Sequence, residues 1–246
     1  MDINSTVAVS RLVAQQRAMA VTANNIANAN TPGFKYERVQ FADWLSRQAG
    51  ADTPRGGATI TYAQDRATWR DLQPGSLSET GNTFDVALTG DGFFTVSTQR
   101  GIRLTRDGRF GLTTDGTVVD SNGNPLLDPN GQPLRMPPNA QQVTIAGDGT
   151  ISTDAGQAGR IAVVSPNDPG RLQAEGTTLM NAPTGVTAVA RPRIVQGALE
   201  EANVQPVLEL TQMLNDAKEF QFVTQFLQAE SDRQQGAIDK LLPATN

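Results

Sequence analysis

The placement of glycine and proline constrains this chain more than any other feature. Of its 23 glycines, 22 lie between Gly33 and Gly197, and the exception is Gly236. No proline precedes Pro32, and none lies between Pro206 and Pro243. Glycine and proline build turns and break helices. A chain punctuated in this way divides into a helical head, a turn-rich middle and a helical tail. The fold class this predicts is α+β, with terminal helices and a mainly-β middle domain.

The head carries apolar positions at alternating steps of three and four. Val9, Leu12, Gln16, Met19, Ala23 and Ile26 form a heptad seam interrupted by one glutamine. The tail repeats the pattern from Leu210 through Met213, Ala217, Phe220, Thr224 and Leu227 to Leu241, with Leu214, Val223 and Phe226 widening the face. Pro206 stands where a first-turn proline is tolerated. Neither helix can bury its stripe alone. The two stripes could cover each other, or each could pack on the middle domain. Charge favours the first arrangement weakly: residues 1–31 are net positive by one, while residues 200–246 hold eight acids against three basic residues. Exposed pairs contribute little.

The middle reads as short strands. "TFDVALTGDGFFTVST" alternates through Phe84, Val86 and Leu88, turns at Gly90-Asp91-Gly92, and resumes at Phe94 and Val96. Asp-Gly recurs at 91–92, 107–108, 115–116 and 148–149, each a hairpin signal. An antiparallel sandwich or barrel-like domain over residues 79–197 is expected. Residues 34–78 read as a connector. Its "ERVQFADWLSRQ" is a candidate short helix presenting Phe41, Trp44 and Leu45, and residues 49–59 are a flexible stretch.

Composition excludes several functions. The chain has no cysteine and no histidine, which removes thiolate chemistry, the commonest general base and the commonest metal ligand. A net charge of −5 argues against a nucleic-acid surface and against anionic lipid. No segment is apolar over a membrane-spanning length, so no membrane insertion is expected. The N-terminus lacks the basic start and apolar run of a cleaved secretory signal. "DSNGNPLLD" from Asp120 begins like a calcium loop. It fails at Pro125, where glycine is required, and at Gly131, where a bidentate glutamate is required. Asp85 and Asp91 could in principle pair as a glycosidase acid and base. Nothing else in the sequence points to catalysis, and no catalytic residue, cofactor or metal is assigned.

Four stretches carry a resemblance. "NNIANANTPGFK" from Asn24, "ETGNTFDVALTGDGFFTV" from Glu79, "TRDGRFGLTTDGTVVDSNGNPLL" from Thr105 and "GALEEANVQPVLELTQMLNDAKEFQ" from Gly197 resemble, in order, the signatures of bacterial flagellar rod and hook proteins. Length and the Met-Asp start are similar to a proximal rod subunit, with a distal rod subunit as the alternative. The resemblance implies that the terminal helices (residues 1–33 and 198–246) pair as a coiled-coil layer forming a hollow tube that transmits torque. It also implies export through the flagellum's own type III secretion apparatus, and a place in the basal-body rod crossing the periplasm. The implied partners are further copies of the chain and neighbouring proximal and distal rod subunits. Readings from other classes are an enzyme acting on peptidoglycan and a secreted β adhesin.

The signature also poses a local question. Four of the seven positions 24–30 are asparagine, a poor helix former, at the end of a helix. Thr31-Pro32-Gly33 is expected to stop that helix and turn the chain outward. Asn24, Asn25 and Asn28 are expected to fix register between helices or subunits, as a buried asparagine does in a coiled coil.

Overall fold

The computed structural model describes residues 3–48, 58–138, 140 and 142–241. Two long helices bracket the chain: α1 (Ile3–Ala27) and α2 (Pro206–Leu241). The chain forms two compact units. Unit 1 takes in Met1–Ile26, Glu37–Thr68 and Pro206–Asn246; unit 2 takes in Ala27–Tyr36 and Trp69–Gln205.

In unit 1, side chains link α1 to α2. Gln15 Nε2 donates to Glu219 Oε2 at 3.0 Å, and Asn25 Nδ2 donates to Glu209 Oε2 at 3.2 Å. The partner's number falls as the α1 number rises, so the helices run antiparallel at these contacts. Glu209 also lies in the first turn of α2, where an acid is stabilised by the helix dipole.

Unit 1 also holds a two-stranded sheet of Glu37–Gln48 with Ala58–Arg70. The segment expected to form a short helix around Phe41, Trp44 and Leu45 is thus a strand. Its partner opens "ATITY", rich in β-branched residues, and cross-strand pairing outweighs a weak local helix preference. Of the stretch expected to be flexible, residues 49–57 lie outside the described residues.

Unit 2 is built on a six-stranded antiparallel sheet. Its order is Gln173–Glu175, Leu179–Asn181, Gly101–Thr105, Phe93–Thr98, Val163–Pro166, Val186–Ala188. Phe94, Val96, Phe110, Leu126, Ile151 and Ile161 anchor the main core, where Phe94 and Phe110 meet edge to face at 5.6 Å. Smaller sheets surround it. Two of the four Asp-Gly pairs turn hairpins: 115–116 joins Phe110–Leu112 to Val118–Asp120, and 148–149 joins Val143–Ile145 to Thr150–Thr153. The other two do not. Val86–Leu88 does not pair with Phe93–Thr98 across Asp91-Gly92; it pairs with Ile194–Gln196 from the far end of the unit. Leu77–Glu79 likewise pairs with Ala198–Glu200. Unit 2 is therefore wider than residues 79–197: it includes the turn after α1 and the chain up to Gln205.

Candidate functional site

Asn25 answers part of the asparagine question. It is 1% exposed, and its carboxamide grips the backbone of Glu37 in both directions. Asn25 Oδ1 accepts from Glu37 N at 2.9 Å, and Nδ2 donates to Glu37 O at 2.9 Å. The same Nδ2 reaches Glu209 on α2. One side chain thereby ties α1, the start of the hairpin and the start of α2 together. Hydrogen bonds to both its donors and its acceptor offset the desolvation of the buried amide, whereas its loss would leave backbone groups bare. Asn24 is exposed, and Asn28 is partly covered, accepting from the Thr31 hydroxyl at 3.4 Å.

The other helix positions divide. On α1, Leu12, Met19 and Ile26 are partly covered, while Val9 is 44% exposed. On α2 the covered stripe runs Glu209, Met213, Asp216, Phe220, Val223, Leu227 and Glu230, with Ala217 partly covered beside it. That stripe keeps heptad spacing but lies one residue out of phase with the apolar seam at alternate positions. Leu210 is half exposed and Thr224 exposed; Glu209 and Val223 take their places.

The turn after α1 belongs to unit 2 and is more than a helix stop. Thr31 N donates to Asn28 O at 3.0 Å, and Phe34 N to Thr31 O at 3.2 Å. Gly33 adopts φ +69°, and a Cβ there would sit 2.2 Å from the backbone nitrogen of Asp107. Only glycine allows both the left-handed turn and that approach. Gly33 N donates to Glu200 O at 2.7 Å. The next two residues are sealed. Phe34 is fully buried under the Arg70 guanidinium, 5.5 Å from its ring, and Lys35 is 0% exposed.

Lys35 opens a buried ionic cluster. Its Nζ donates to Glu200 Oε1 at 2.5 Å and to Gln73 O at 2.7 Å. Arg106 Nη1 bonds the other Glu200 oxygen at 2.9 Å, and its Nη2 donates to Gly90 O at 2.7 Å. Gly75 N adds a third donor to Glu200, at 3.1 Å. The Arg106 guanidinium lies over the Phe93 ring at 5.2 Å. Two cations share one carboxylate. Burial pulls the Lys35 ammonium below its ordinary pKa, and the opposing attraction of Glu200 does not restore it. Beside the cluster, burial pushes the Asp107 carboxyl up, opposed by the Arg109 backbone N–H. No substrate can reach groups sealed this way. The cluster joins chain segments.

Lys35, Arg106 and Glu200 all lie inside the quoted signatures, yet sequence reasoning did not single them out. Charged residues read as surface unless paired, and the pairing here spans 94 and 165 residues of sequence. No local signal marks them: Lys35 simply follows the Pro32-Gly33 turn and Phe34. Among the described residues no group of acids could hold a metal ion, and no helix is long and apolar enough to cross a membrane.

Comparison with known proteins locates these features in a family. Residues 6–35 match the family "Flagella basal body rod protein", residues 87–153 the "Flagellar hook protein FlgE/F/G D1 domain", and residues 195–239 the "Flagellar basal body rod FlgEFG protein C-terminal". The FlgF rod protein of Caulobacter vibrioides is 33% identical, covering 98% of both chains. The FlgF of Mesorhizobium japonicum is 33% identical over 96% of each. The FlgG of Bacillus subtilis is 32% identical, over 84% of this chain and 86% of its own. The greater coverage favours FlgF over FlgG. The chain belongs to the flagellar basal-body rod protein family, in which it is a FlgF-like, structural and non-enzymatic subunit.

Proposed function

We propose that the chain builds the proximal part of the basal-body rod, with α1 and α2 paired as a coiled-coil layer of a hollow, torque-transmitting tube. The observation that carries this reading is on α2. Val207, Leu208, Leu214, Phe222 and Phe226 are all more than half exposed, on a helix that already covers another stripe. A helix with two apolar faces needs more than one neighbour. Val9 and Leu210 extend this outward-facing set, while Leu12, Met19, Ile26, Met213, Ala217, Phe220 and Leu227 serve the inward one. Neighbouring copies and adjoining rod subunits, FlgG among them, would supply the missing contacts. The terminal helices would gain order as the tube forms, after export in an unfolded state through the flagellar secretion apparatus. The rod so formed would cross the periplasm.

The test is deletion of the gene, followed by electron microscopy of purified basal bodies and complementation with a chain lacking residues 207–246. Rods that stop short and stay short with the truncated chain support the reading. Normal rods with the truncated chain would remove α2 from the assembly interface.

A further inference from the structure

We infer that unit 2 is closed by its last-made segment, Gly197–Val204, and that Glu200 is the counter-charge on which closure depends. This conformational device is independent of how the helices assemble.

Every part of the segment completes something begun earlier in the chain. Ile194, just before it, belongs to the main core cluster, and Ala198, Leu199 and Val204 are buried. Gly197 N donates to Asp85 O at 2.7 Å, and Gly197 O accepts from Thr80 N at 2.8 Å. Glu201 N donates to Ser76 O at 2.8 Å. Asn203 Oδ1 accepts from Tyr36 N at 2.7 Å, and its Nδ2 donates to Asp71 O and Gln73 O, each at 2.9 Å. Without this segment, strand Leu77–Glu79 has no partner.

The charges make the dependence sharp. Lys35 and Arg106 are 0% and 4% exposed, and among the described residues Glu200 is the carboxylate in ion-pair contact with both. A chain that has emerged only to residue 196 contains both cations and lacks their anion. Burying two unpaired cations is prohibitive, so the Phe34-Lys35 turn and the Arg106 turn stay in water. Synthesis runs from the N-terminus, so the unit remains open until more than 200 of 246 residues are available. The position of one glutamate thus keeps unit 2 from closing early.

Two measurements on the full chain test this. In the first, the chain refolds from denaturant under pulsed hydrogen exchange. The core amides of Val118, Leu126 and Ala162 should gain protection in the same kinetic phase as Gly33 and Glu201. Core protection appearing tenfold or more earlier would overturn the inference. The second is a double-mutant cycle. Glu200→Gln should lower the folding equilibrium constant about a hundredfold or more. Adding Lys35→Met, which removes one stranded cation, should recover at least tenfold of that loss. Losses that simply multiply would show that Glu200 does not act through the cations.

Discussion

Unit 2 and helix α2 depart from the usual distribution of side chains in opposite directions. Unit 2 hides charge: Lys35, Arg106 and Glu200 are all less than 5% exposed. Helix α2 shows apolar surface: Val207 is 77% and Phe222 71% exposed. The two departures differ in how they are resolved. The buried charges of Lys35, Arg106 and Glu200 meet their opposites within the same chain, through contacts that bring together residues 35, 106 and 200. The apolar side chains of α2 stay in solvent. The Lys35, Arg106 and Glu200 cluster is satisfied within one chain, whereas on the proposed reading the apolar face of α2 would be covered by a neighbour.

Mutations separate these two economies. The largest effect belongs to Glu200→Ala, which strands two buried cations and should cost about 3–5 kcal/mol by chemical denaturation. Gly33→Ala comes next. The left-handed φ and the collision with Asp107 together predict a loss of about 2–4 kcal/mol, read as a lowered melting temperature of unit 2. Asn25→Ala bares both backbone groups of Glu37 and should cost about 1–3 kcal/mol. Its signature is loss of exchange protection at Glu37 N with the amides of unit 2 unchanged. Phe222→Ser with Phe226→Ser should leave the isolated chain within about 0.5 kcal/mol of its starting stability. In cells the same pair should shorten or abolish rods; normal rods would end the case for α2 as an assembly surface.

The smallest effect is a pH dependence. The folded Asp107 carboxyl has a raised pKa, so the folded state holds that proton more tightly than the unfolded chain. Its contribution therefore favours folding increasingly as pH falls through the raised value, and is complete below the ordinary aspartate range. Above the raised value the buried charge is a cost. Asp107→Asn keeps an acceptor for Arg109 N, so it should raise the neutral-pH melting temperature by a few degrees at most. It should also remove that part of the acid-side gain.

Much of the architecture was legible because glycine and proline act locally. The helical ends and the strand-rich middle follow from their placement alone. Phase and pairing were harder, because they depend on partners distant in sequence. An apolar seam on α2 selects Leu210, yet Glu209 occupies the covered position because its carboxylate meets Asn25. The Asp-Gly pair at 91–92 turns the chain without making a hairpin, because Val86–Leu88 finds its neighbour a hundred residues later. Among four clustered asparagines, nothing local marks Asn25 as the buried one. Lys35 illustrates the limit most clearly: its reading as buried depends on Glu200, and no window of sequence contains both.

The grip of Asn25 on Glu37 has a consequence for what the molecule avoids. Glu37 is the first residue of a strand, and a strand with free N–H and C=O groups invites another chain to add alongside it. The Asn25 carboxamide has the same donor and acceptor pair as a peptide group, and it occupies both positions at Glu37. It stands in for one residue of a neighbouring strand and brings no further edge with it. In the proposed rod, where copies would crowd against one another, that plug would direct association toward the helices and away from open-ended sheet growth.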